Sequence, residues 1–153
     1  MAKAPEFDVQ AAHKYFAAHC FNSAWDLIEK QGRTAEEDRM MVALNQASIF
    51  HWSQRPENDD KNRSIGYWQA SRIQSLLGNA AEGSRHAEVC LTYSRDLEPF
   101  YLGYAYEALA RAAKVAGDAE ECSRYLAAAE EQARAVTRQE DRALLEADLV
   151  SLR

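Results

Sequence analysis

Four histidines, three cysteines and many carboxylates are the residues of this chain that carry chemical potential. A protein zinc site needs three or four ligands on one face, which sequence displays as HExxH, as two histidines four apart, or as CxxC. His13, His19, His51 and His86 show none of these spacings, nor ExxH. His13 and Cys20 stand seven residues apart on one helix face, but two ligands are too few for a metal. A thiolate nucleophile needs a base aimed at its sulfur, and Cys20 directly follows His19. Adjacent helical residues point in different directions, so those two are not a dyad. Cys20, Cys90 and Cys122 are odd in number, lack metal spacing and sit in apolar helical runs, where a free thiol acts as a small hydrophobe. There is no Gly-rich phosphate loop, no GxSxG elbow, and no carboxylate pair that stands out as acid and base. These residue types point to a non-catalytic protein with no metal and no cofactor.

Composition narrows the class. The 153 residues are 47% hydrophobic, enough for one ordinary domain with a sizeable core. Only six Gly and three Pro interrupt a chain rich in Ala, Glu, Leu, Gln and Arg, all good helix formers. A net charge of -6, with 18 basic residues scattered among 24 acidic ones, excludes the basic face that nucleic-acid binding requires. No stretch approaches the roughly 18 apolar residues of a membrane span, and no signal-peptide core follows the first residues. The expectation is a single domain, 1–153, of the cytoplasm, binding neither nucleic acid nor membrane.

The elements that must position any site are clearly punctuated. Gly32, Gly78 and Gly117 each close a helical run, as a left-handed cap does. A cap residue follows each one (Thr34, Asn79, Asp118) with a glutamate three residues later (Glu37, Glu82, Glu121), the capping-box pattern. Thr137 and Glu140 repeat it before the last helix. Seven helices follow, at about 8–30, 35–54, 63–77, 80–95, 99–116, 119–136 and 138–151, with Pro99 in the first turn of the fifth. The apolar stripes are Phe21, Trp25 and Ile28; Leu44, Ala47 and Phe50; Ile65, Trp68, Ile73 and Leu76; and Tyr101, Ala105, Ala108, Leu109 and Ala112. Arg55 to Asn62 is the one long polar loop, and no segment alternates as a half-buried strand would. The fold class is therefore all-α: three helix hairpins, about 8–54, 63–95 and 99–136, on one plan, then a final helix.

The third hairpin resembles the tetratricopeptide repeat. Tyr106, Leu109 with Ala110, Ala113 and the Gly117-Asp118 turn stand in that family's order, followed by Cys122, Leu126 and Ala129 on the second helix. The second hairpin is similar through Tyr67, Ala70, Ser71, Gly78, Asn79, Gly83, Ala87 and Cys90. The first is similar through Phe21, Ala24, Trp25, Ile28, Gly32, Glu37, Met41 and Leu44, although Glu37 takes a position that is small in the family. The resemblance covers most of the chain and extends to short bacterial proteins of this type with no assigned activity. It implies a right-handed superhelix of hairpins that close-packs through Gly83, Ala110, Ala113 and Ala129. The last helix, with Leu145, Leu149 and Leu152 on one side, would be its terminal cap.

The resemblance also implies a concave wall built from the first helix of each pair. Its inward positions fall on His19, Asn22 and Asp26, then on Trp68, Arg72 and Ser75, then on Tyr104, Glu107, Arg111 and Lys114. Arg72 and Arg111 suit a carboxylate or phosphate through paired N–H groups, with Trp68 and Tyr104 against an apolar body; Asp26 and Glu107 suit a cation. The bland reading is an i,i+4 pair of Glu107 with Arg111 on a solvated face, and tryptophans in the core. The expected function is a protein- or peptide-binding module. The alternatives are a sensor or carrier of a small anion, and a structural protein that self-associates into a homodimer around Tyr93, Leu97, Phe100 and Tyr101.

Overall fold

The computed structural model describes every residue, Met1–Arg153, and contains seven α-helices and no strand. They are α1 (Val9–Glu29), α2 (Ala35–Ser53), α3 (Asp60–Leu76), α4 (Ala80–Ser94), α5 (Pro99–Ala116), α6 (Ala119–Ala135) and α7 (Gln139–Val150). The chain divides into two units, Met1–Asn58 and Asp59–Arg153.

The helix ends show how local chemistry sets the boundaries. Thr34 and Glu37 form the full reciprocal capping box, at 3.2 and 2.9 Å. Asp118 accepts from the Glu121 N–H at 3.0 Å. The other two boxes do not form. Asn79 instead donates its side-chain amide to Gln74, and α7 starts after Arg138 with no side-chain cap. There Arg142 reaches back to the carbonyls of Arg134 and Val136, fixing the turn by satisfying the end of α6 rather than the start of α7. Helix α3 begins earlier than the polar composition of its first turn suggests, because Asp59 caps it by accepting from the Asn62 N–H. Gly78 and Gly117 take positive φ, 81° and 76°, in turns whose N–H groups close back on α3 and α5.

The first unit is an antiparallel hairpin of α1 and α2. Its seam is narrow, with Ala17, Cys20 and Ala24 facing Met41, Asn45 and Ser48, and Ser48 donating to the Ala17 carbonyl at 2.7 Å. The apolar stripe expected on α2 is not the seam: Phe50 is exposed, while polar Asn45 and Ser48 are buried. Small partners across a close helix crossing leave room for a serine and an asparagine, and none for a phenylalanine.

In the second unit each helix packs on the next, α3 through α7. In addition α3 packs on α5 and α5 on α7, whereas the backbones of α4 and α6 stay apart. Ala87, Ala108 and Leu109 form one core cluster; Ala110, Ala113, Ala129 and Ala133 join Leu145, Leu149 and Leu152 in another. The expected α7 stripe is thus fully inside. Close approach depends on two glycines: a Cβ on Gly103 would stand 2.6 Å from a Leu145 methyl, and one on Gly83 would stand 2.7 Å from the Ser75 hydroxyl. The α3–α4 seam is again polar, with Ser64 on Ser94 at 2.7 Å and Ser71 on the Gly83 carbonyl at 2.7 Å. Leu76, read as part of the α3 stripe, is exposed.

Candidate functional site

Glu107 of α5 is fully buried. A carboxylate taken out of water is very costly unless its oxygens are filled, and three side chains fill them. Trp68 of α3 donates its indole N–H to Oε2 at 3.0 Å. Arg111, one turn on along α5, donates Nε to Oε1 at 2.6 Å and brings Nη2 to the same oxygen at 2.6 Å. Arg72 of α3 adds a longer contact from Nη1 to Oε1 at 3.4 Å. Two guanidinium groups therefore converge on one carboxylate, and neither side chain is fully buried, at 23% exposed for Arg72 and 17% for Arg111.

A second layer ties in α7. Tyr104 donates its hydroxyl to Asp148 at 2.8 Å and packs edge-on against Trp68, with ring centroids 5.3 Å apart, and against Phe100 at 5.1 Å. Arg111 also donates to the Ser151 hydroxyl at 3.2 Å, and Lys114 donates to the Ser151 carbonyl at 2.9 Å. Burial, reinforced by the bond to Asp148, pushes the Tyr104 phenol far above its usual range, so it remains a donor at any physiological pH. Burial and the neighbouring charge of Arg111 lower the Arg72 pKa, against the pull of Glu107; it stays a cation at neutral pH.

The five residues Trp68, Arg72, Tyr104, Glu107 and Arg111 are thus gathered into one network across α3, α5 and α7. Lys114 joins them through α7. Ser75 does not: its hydroxyl is buried without a partner in the α3–α4 seam, against Gly83. His19, Asn22 and Asp26 lie in the other unit, all exposed on α1, with His19 stacked on Tyr15 at 5.4 Å. Of the residues considered for self-association, Phe100 packs into the Tyr104 cluster, Tyr101 lies under the Lys61 ammonium, and Tyr93 stacks on Tyr67 beneath Arg63.

Asp148 and Ser151 were not visible from the sequence. They sit one residue before Leu149 and one before Leu152, at the margin of the α7 stripe, so that register is the one signal that marks them. The chain matches no protein-family model, no curated protein and no solved structure. The three cysteines are free and buried, and burial pushes the Cys90 thiol up to about 11, the form of an inert sulfur. No group of three or more His, Cys, Asp or Glu side chains is arranged to hold a metal ion. No helix is long and apolar enough to cross a membrane.

Proposed function

We propose that the protein is a non-catalytic binding module and that the face shared by α3, α5 and α7 receives a protein or peptide partner. The observation that carries this reading is the convergence of Arg72 and Arg111 on buried Glu107, which fixes two cationic edges in a defined orientation at that face. Orienting long side chains before binding removes part of the ordering cost that association otherwise meets. Helix order supports it. In the second unit α3, α5 and α7 crowd together while α4 and α6 spread apart, which is how a stack of hairpins curves, with the first helix of each pair on the inside. That curvature, with the Gly117-Asp118 turn and the small residues of α5 and α6, is the ground for a tetratricopeptide-like array in this unit. A cytoplasmic setting suits three buried thiols that remain unpaired.

One observation favours a second reading. The network holds three cations, Arg72, Arg111 and Lys114, and two carboxylates, Glu107 and Asp148, leaving one surplus positive charge. That balance suits a small anion. The two readings separate by experiment. Affinity capture with the immobilised full chain should retain a defined protein that Arg72→Gln fails to retain, while the variant, whose amide still donates toward Glu107, keeps its helical signal. A thermal-shift panel of small carboxylates and phosphates should leave the wild type unmoved. A shift in the wild type that Arg72→Ala abolishes, with nothing captured, would replace the protein partner by a small anion. Equal capture by the wild type and Arg72→Gln would move the binding surface elsewhere.

A further inference from the structure

The first unit carries a feature that the binding face does not use. His13 of α1 and His51, in the last turn of α2, set Nδ1 against Nδ1 at 2.8 Å across the open end of the hairpin. Their ring centroids are 5.1 Å apart, which places both nitrogens between the rings, close to the line that joins them. An imidazole nitrogen donates only when it bears a hydrogen and accepts only when it does not. The contact therefore holds one proton between the two Nδ1 atoms. It accommodates a neutral pair, or one imidazolium beside one imidazole. A second imidazolium would set two N–H groups and two positive charges against each other.

The surroundings offer no compensation for that second charge. Phe50 packs edge-on against both rings, at 6.1 Å from His13 and 5.4 Å from His51, and Phe16 lies over His51 at 5.6 Å. Both histidines are half-buried. The charged groups nearby are engaged or cationic. On α1, Asp8 accepts from the Ala11 N–H and Lys14 is a further cation. On the segment that follows α2, Arg55 is held by Gln10 and pairs with Glu57. No carboxylate forms an ion pair with either ring. Burial, followed by the charge of His13, holds His51 below the ordinary imidazole range.

We propose that His13 and His51 form a proton-operated clasp: closed while the two rings share one proton, it ties the start of α1 to the end of α2, and it opens when both rings are protonated. Opening also separates His51 from Phe16 and His13 from Phe50, so acidification loosens the aromatic end of the hairpin. The sign follows from the lowered His51 pKa. The unfolded chain takes up this proton at higher pH than the folded one. The stabilisation is therefore whole above about pH 6.5 and is lost as pH falls through the folded value.

Imidazole nitrogen NMR of the full-length protein, titrated from about pH 8 to about pH 5, tests the clasp. At neutral pH one of the two rings should be in the Nδ1–H tautomer, and His51 should titrate below the ordinary range. The variant His13→Asn places an amide where Nδ1 stood, and its oxygen accepts from a charged His51 ring. In that variant the His51 midpoint should rise by about half a unit or more, and the fall of Tm on acidification should shrink. Two Nε2–H tautomers at neutral pH would overturn the proposal, as would a His51 midpoint unchanged in His13→Asn. Should the variant fail to fold, the wild-type tautomer decides alone.

Discussion

At the scale of single residues, the second unit is organised around one buried carboxylate, and its partners differ in kind. Arg111 makes the short contacts to Glu107, so Arg111→Ala leaves a buried charge poorly paired and should cost about 3–5 kcal/mol in urea unfolding. Arg72 makes one longer contact to the same oxygen, so Arg72→Ala should cost less, about 1–3 kcal/mol, while still removing a cation from the face. Equal losses in the two variants would mean that the arginines share one structural role. The tetratricopeptide resemblance pointed to Trp68, Arg72, Tyr104, Glu107 and Arg111 as inward positions of two helices. It gave no sign that Arg111 is a structural partner and Arg72 the freer one, because that division depends on where the Glu107 oxygens point. The pairing of His13 with His51 was equally hidden: no period within one helix records a contact between two.

At the scale of elements, the turns were the most legible feature and the seams the least. Gly117 has φ 76° with nothing near its Cβ position, so Gly117→Val should destabilise through backbone strain alone, by about 1–2 kcal/mol in thermal unfolding. An unchanged Tm would contradict the left-handed cap. Gly103 differs, since a methyl group there meets Leu145 and Gln132; Gly103→Ala should cost about 1–3 kcal/mol by overpacking α5 against α7. In the α3–α4 seam the unpartnered Ser75 hydroxyl predicts the opposite sign, with Ser75→Ala neutral or stabilising by up to about 1 kcal/mol. Apolar periodicity located the helices and all of the α7 stripe, but it misread α2 and part of α3. Their buried faces carry Asn45, Ser48, Ser64, Ser71 and Ser75, all of a type that looks solvent-facing in a sequence, and Ser48, Ser64 and Ser71 bond across narrow crossings.

At the scale of the whole molecule, the division at Asn58 and the packing of α3 on α5 and of α5 on α7 frame the proposed binding face. The connecting segment around Glu57 is largely exposed, so limited proteolysis at glutamate should cut there before it cuts within the second unit. First cuts inside α5 or α6 would contradict the division. The hairpin plan and the number of helices were legible because helix ends carry specific chemistry. The division into two units was not, since it depends on which helices touch. The most direct test of the proposed binding face is a photo-crosslinking side chain placed in the full chain at position 72 of α3, compared with one at exposed position 124 of α6. Crosslinks to a defined partner from position 72 and none from position 124 are the predicted result. Crosslinks from position 124 alone would place the working surface on the outer helices and contradict the account.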